Sequence, residues 1–250
     1  MIQEFPRPDL RPYLGQTVTI DIDRPIGYIH HKGEKTLVYP INYGYIPGLM
    51  GGDGEEQDAY ILGVDIPLSE FDGQVVGAIQ RKNDVEDKLI VAPAGMTFHQ
   101  GQIAEATNFI EQYFDIYILS LFRKSCGVLP YRVVNGQREY LLVFEQFSQC
   151  WSLPKGHMEA GEIEIETAQR ELFEETGLTV ELDATATALV EYPISPVSKK
   201  QVVIFLGEVQ GVPTARPGEI EGFKWVKLEE LKDYLFSDTV DALAELLNEQ

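Results

Sequence analysis

Apolar and polar positions alternate from Gln16 to Asp23, placing Val18, Ile20 and Ile22 on one side of a half-buried strand. Similar runs follow at KTLVYP, DAYILGV, QVVGAIQR and DKLIVAP, separated by Gly, Pro and Asp punctuation such as PGLMGGDGEEQ. The segment GQIAEATNFIEQYFD then changes period: Ile103, Ala106, Phe109, Ile110 and Phe114 share one helical face. Strands closed by one helix predict a small closed barrel. After Asp115 the strand pattern restarts as a long hairpin, IYILSLFRKSCGVLPYRV and REYLLVFEQ, turned at Asn135-Gly136. A helix over 162–176 follows, then strands at LTVELDA, ATALVEYPI, KQVVIFLGEV and GFKWVKL, and a last helical stretch, DTVDALAELLNE. The restart near residue 117 predicts two domains, 1–117 and 118–250, with little or no linker. Internal repeats and low-complexity tracts are absent from the sequence.

Composition narrows the class. With 44% hydrophobic and 24% charged residues the chain is ordinary globular protein. Its longest apolar run falls well short of the ~18 residues needed to cross a bilayer, and MIQEFPRPDL lacks a leader pattern, so a cytoplasmic location is expected. The two cysteines, Cys126 and Cys150, lack the spacing of a redox or zinc site and are expected as reduced thiols. The net charge of −20, shared evenly by the two halves, disfavours nucleic acid and anionic lipid as partners. A polyphosphate substrate would need divalent cations between itself and this surface.

The chemistry concentrates in GHMEAGEIEIETAQRELFEETGL. On a helix ended by Gly177, Ile165, Ala168 and Leu172 form the buried stripe. Glu171, Glu174 and Glu175 gather on a neighbouring face, in the last turn, where like charges repel and the macrodipole favours cations instead. A hard divalent cation accounts for that arrangement. Arg170, four residues from both Glu166 and Glu174, is placed to hold one carboxylate while others bind metal. Gly156 lets backbone approach the metal without a side chain in the way.

Gly156, five residues, Glu162, seven residues, then Arg170-Glu171-Leu172-Phe173-Glu174-Glu175-Thr176-Gly177-Leu178 is similar to the Nudix hydrolase box without departure. The resemblance implies an α/β/α sandwich with a mixed sheet. It also implies Mg2+, or Mn2+ in its place, held by Glu171, Glu174, Glu175 and the Gly156 carbonyl, with Arg170 in the catalytic set and water attacking a phosphorus. Either Glu174 or Glu175 serves as base. The run Trp151-Ser152-Leu153-Pro154-Lys155-Gly156-His157, the strand Val203 to Glu208 and Glu219 resemble asymmetrical diadenosine tetraphosphate hydrolases, implying cleavage to ATP plus AMP. Glu219 then acts as a further metal ligand or base. Lys155, Lys199 and Lys200 contact outer phosphates, His157 joins them in the substrate-binding set, and Tyr192 or Phe205 stacks on adenine, although the aromatic expected in that strand aligns on Ile204. A nucleoside triphosphate pyrophosphohydrolase whose released pyrophosphate is hydrolysed by the first half of the chain, and a nucleotide-binding regulator without turnover, are the alternatives.

In the first half, YPINYGYIP and DGEEQDAYILG resemble soluble inorganic pyrophosphatases, a small closed barrel. The resemblance implies Tyr39, Tyr43 and Lys88 at phosphate and Asp53, Glu55, Asp58 and Glu86 at metal. The pattern departs where Arg81 replaces an early metal Asp, where His31 replaces a basic residue, and where a late Tyr-Lys pair is missing. Weak cation binding with slow or no pyrophosphate hydrolysis is therefore expected, and a homodimerising or purely structural role stays open.

Overall fold

The computed structural model describes residues 7–33 and 35–248. Residues 1–6, part of the segment expected to carry no leader, lie outside the described residues. The elements are β1 (Thr17–Arg24), β2 (Ile29–Lys32), β3 (Lys35–Val38), β4 (Asn42–Met50), β5 (Glu56–Ile61), β6 (Glu70–Arg81), β7 (Lys88–Ala92), α1 (Gln100–Glu111) and β8 (Ile116–Ser120). They continue as β9 (Phe122–Val134), β10 (Gln137–Glu145), β11 (Cys150–Ser152), β12 (Lys155–His157), α2 (Glu164–Thr176), β13 (Thr187–Pro193), β14 (Lys199–Glu208), β15 (Ile220–Val226) and α3 (Ser237–Asn248).

The chain divides into two compact units. One comprises residues up to Arg123 with Pro193–Lys199, the other Lys124–Tyr192 with the residues from Lys200 onward. Residue 117, the expected division, falls inside β8, which pairs with β6 of the first unit.

In the first unit the strand order β1-β4-β5-β7-β6 closes through a β1–β6 pairing into a five-stranded barrel, and β8 extends it beside β6. Period-2 alternation sorts its apolar side chains. Ile20, Ile46, Ala59, Ile61, Val75, Ala78, Leu89 and Val91, drawn from all five strands, fill the interior. The opposite parity, Tyr60, Ile79 and Ile90, packs outward with Ile103, Ala106, Phe109 and Ile110 of α1. Phe114 lies beyond the end of α1, and its ring packs 3.6 Å from the Arg81 guanidinium carbon.

The second unit is a seven-stranded sheet, β11-β10-β9-β14-β13, with β12 on β9 and β15 on β10. Parity again assigns faces. Leu141, Val203 and Phe205 join Ala168 and Leu172 of α2, whereas Tyr140, Leu142, Val202, Ile204 and Leu206 join Leu243 and Leu246 of α3. A helix on each face is the α/β/α sandwich. The strand expected at LTVELDA does not form. Val180 and Leu182 instead pack into the core beneath α2, so close to Gly207 that any Cβ there would collide with both, and the Gln169 amide donates to the Val180 carbonyl. Apolar alternation there serves as a plug rather than a ladder.

Candidate active site

α2 begins two residues later than expected, with Ile163 as N-cap and the Glu166 carboxylate accepting its amide at 3.1 Å. Gly177 ends it in the left-handed region, φ 69°, donating to the Phe173 carbonyl at 2.7 Å. The carboxylates therefore come out on fixed turns of a helix pinned to the sheet by Ala168 and Leu172.

Arg170 is not paired with Glu166, which is engaged in the cap. Its guanidinium holds both oxygens of Glu162 (2.6 and 3.0 Å), one oxygen of Glu171 (2.7 Å) and the His157 carbonyl (3.0 Å). That grip ties α2 to β12 and fixes Glu171. The same contact holds the Glu162 carboxyl down at about 2, helped by hydrogen bonds from Thr167 and the Glu159 amide. Gly156 lies in β12, opposite Cys126 of β9. A Cβ at Gly156 would fall on the Glu171 carboxylate, so only glycine admits that approach of carboxylate to backbone.

Glu175 is 9% exposed, and its Oε2 has no hydrogen-bond partner. Burial pushes its carboxyl up to about 8; Lys155 opposes this, while Glu171 and Glu145 add to it. Burial likewise raises Glu171, against the pull of Arg170. A buried, unpaired carboxylate oxygen among other carboxylates is costly unless a cation or proton is supplied. Glu174 is more open: its Oε2 accepts from Arg216 Nη1 at 2.9 Å and lies 3.5 Å from Arg170 Nη1. Glu219, from the stretch before β15, accepts from the same Arg216 atom at 3.2 Å. As they stand, no three acidic, His or Cys side chains among the described residues converge to hold a metal. The donor set nevertheless fits a hard divalent cation, through the orphaned Glu175 oxygen and the glycine cradle against Glu171. Arg216 was not foreseen from sequence, since its two partners lie 42 residues before and three residues after it.

The second unit also holds a cavity of about 510 Å³ on the α3 face of its sheet, lined by Trp151, Lys155, Tyr192, Lys200, Ile204 and Phe236, among others; Lys155 links it to the carboxylates, since its charge and its backbone amide both act on Glu175. Lys155 Nζ donates to Glu145 (2.7 Å) and Ser152 (2.7 Å). Burial alone would raise the Glu145 carboxyl, but Lys155 and hydrogen bonds from Ser148 and Ser152 bring it below its ordinary value. Phe205 is not at this cavity. It is 2% exposed within the core under α2, because parity gives the cavity face to Ile204. His157 and Lys199 do not line the cavity either: His157 is exposed at the end of β12, and Lys199 Nζ lies 5.5 Å from the Phe122 ring centre in the first unit.

The residues expected to serve the barrel are arranged differently. Lys88 is buried and paired with Asp58 and with Glu86 (3.0 Å), so it faces carboxylates of its own chain rather than an open phosphate site. Burial raises the Tyr43 hydroxyl, and Asp58 adds to the shift. Tyr39 accepts from Arg24 at 2.8 Å. Asp53 accepts the Glu55 amide at 3.0 Å, and both side chains sit on an exposed loop. Arg81, where the early metal Asp was expected, is buried, with Nε and Nη2 on the two oxygens of Glu111 (2.8 and 2.7 Å), and Tyr60 donates to the same carboxylate at 2.7 Å. Asp53, Glu55, Asp58 and Glu86 are thus not gathered as a metal site.

A helix-borne carboxylate cluster with a buried, unpaired carboxylate oxygen is suited to hydrolysis of a phosphoanhydride bond through a divalent cation. The chain matches the NUDIX domain family over residues 125–247. It is 32% identical over 113 residues to a bis(5'-nucleosyl)-tetraphosphatase [asymmetrical] of Caenorhabditis elegans, covering 43% of this chain and 80% of that protein. It is 30% identical over 142 residues to an RNA pyrophosphohydrolase of Bartonella clarridgeiae, covering 46% and 82%. The chain belongs to the Nudix family and is a hydrolase of phosphoanhydride bonds. It also shows 28% identity over 112 residues to an inorganic pyrophosphatase of Xylella fastidiosa, covering 41% of this chain and 61% of that protein. No helix among the described residues is long and apolar enough to cross a membrane.

Proposed function

We propose that the second unit hydrolyses dinucleoside polyphosphates, diadenosine tetraphosphate foremost, to ATP and AMP. Mg2+, or Mn2+ in its place, would be held by Glu171, Glu174, Glu175 and the Gly156 carbonyl, with Glu219 contributing from its loop. The observation carrying this reading is the orphaned Glu175 oxygen among the α2 carboxylates, and the cavity that Lys155 joins to it offers Trp151 and Tyr192 to a base and Lys200 to phosphates, Lys155 itself being held by Glu145. When bound, the cation supplies a more acidic water and neutralises charge on the phosphate oxygens. Arg170 keeps Glu171 against the backbone of Gly156. Either Glu174 or Glu175 would accept the proton from the attacking water. Similarity to the C. elegans tetraphosphatase supports the substrate class. The RNA pyrophosphohydrolase likeness is opposed by the net charge of −20, which repels a polynucleotide.

A substrate panel with Mg2+, resolving ATP, AMP, pyrophosphate and phosphate, tests the reading. Diadenosine tetraphosphate should give ATP plus AMP with kcat/KM above that for ATP or nucleotide sugars. A preference for triphosphates, releasing nucleoside monophosphate and pyrophosphate, would sink it and favour a triphosphate pyrophosphohydrolase instead.

A further inference from the structure

Arg216 joins Glu174 of α2 to Glu219 of the loop before β15, reaching both through a single nitrogen, Nη1. Its side chain and those of both partners are substantially exposed, at 44%, 33% and 48%. Its backbone, by contrast, is fixed: the Arg216 carbonyl accepts the amides of Glu219 (3.3 Å) and Ile220 (3.1 Å) in a turn whose Gly218 has φ 91°. A pinned backbone with an exposed guanidinium allows the charged end to leave Glu174 by side-chain rotation alone. Arg170 differs, because its guanidinium is shared among Glu162, Glu171 and the His157 carbonyl, and leaving would break all of these.

We propose that Arg216 is an exchangeable counter-ion: it holds Glu174 and Glu219 together before a divalent cation arrives, yields Glu174 to that cation, and turns its freed fork to the polyphosphate. The proposal rests on the reading of Glu174 as a metal ligand. Two positive groups compete for one carboxylate, and exposed ion pairs are weak, so the pair does not bar the cation but does reduce its apparent affinity. Once displaced, a guanidinium beside the bound anion is suited to two-point contact with phosphate oxygens, which an ammonium cannot reproduce.

The test uses the full chain. Mn2+ binding is measured calorimetrically without substrate, and steady-state hydrolysis of diadenosine tetraphosphate is measured with Mg2+, for wild type, Arg216→Ala, Arg216→Lys and Glu174→Gln. Arg216→Ala should bind Mn2+ ~2- to 5-fold more tightly, the scale of one lost exposed pair, and yet show KM raised ~10-fold with kcat little changed, as expected for a lost charge-assisted contact. Arg216→Lys should return Mn2+ affinity toward wild type while leaving KM raised. A residue of merely structural importance would not tighten metal binding when removed. Unchanged or weaker Mn2+ binding in Arg216→Ala overturns the counter-ion role, and an unchanged KM overturns the phosphate contact. Glu174→Gln separates the readings: if it leaves Mn2+ affinity intact, the metal-site assignment and this proposal fall together. If Glu174→Gln weakens binding while Arg216→Ala does not strengthen it, only the proposal on Arg216 falls.

Discussion

Both units place acidic side chains against cations of their own chain, but at opposite depths. In the Nudix unit the pairing arginine of Glu174 and Glu219 is Arg216, an exposed side chain on a loop. In the barrel the pairing cations are Lys88 and Arg81, whose side chains are 2% and 4% exposed. Depth decides whether a cation from solution can take their place. An exposed pair contributes ~0–1 kcal/mol, which a divalent ion readily outcompetes. Removing one partner of a buried pair leaves an uncompensated charge at a cost of ~3–5 kcal/mol. On the proposed function, Arg216 would give way to a metal, whereas the buried Lys88 and Arg81 would stay with the carboxylates they already hold.

The largest effect that sharpens this contrast is on stability. Arg81→Met strands the buried Glu111 carboxylate and should lower unfolding free energy by ~3–5 kcal/mol in urea titration, whereas Arg216→Ala should change it by less than ~1 kcal/mol. Similar losses for the two variants would erase the distinction. Next in size, Glu174→Gln and Glu175→Gln should each cut nucleotide hydrolysis at least ~100-fold while the protein stays folded. Near-wild-type rates in either would mean the helix carboxylates are misassigned.

A pH experiment probes the orphaned carboxylate. Because the folded-state value of Glu175 is raised from 4.5 to about 8, the metal-free folded protein keeps a proton that the unfolded chain loses. The resulting stabilisation is full below 4.5, declines as pH rises, and is gone above about 8. In chelator, melting temperature should fall more steeply from pH 6 to 9 in wild type than in Glu175→Gln, whose neutral amide has no proton to lose. Parallel slopes would show that Glu175 ionises freely in the metal-free protein. The smallest expected effect is that of Asp58→Asn on diadenosine tetraphosphate hydrolysis, which should stay within about twofold of wild type, since the second unit supplies that chemistry from its own carboxylates. A large drop would mean that the barrel participates.

What could be read from sequence follows from how local each determinant is. The helix, its Gly177 cap and the stripe of Ile165, Ala168 and Leu172 are set by spacings within one helix, and the structure forms all three. Strand parity is less local. Val203 to Leu206 are all apolar, so only the two-sided core reveals that Ile204 faces the cavity and Phe205 faces α2. Helical spacing placed Glu166 beside Arg170, but the N-terminal amide of the helix takes that carboxylate. Arg81 read only as a missing ligand, because the carboxylate that explains it, Glu111, lies 30 residues away on α1. Arg216 was hidden in the same way, within an irregular loop whose meaning depends on contact with α2.

Mn2+ titration of the full chain tests the contrast between the two clusters most directly, comparing wild type, Glu171→Gln/Glu175→Gln and Asp58→Asn. Saturable binding should be lost in the Nudix double variant and kept in Asp58→Asn. Binding that survives the double variant and disappears in Asp58→Asn would contradict it, placing the cation in the barrel.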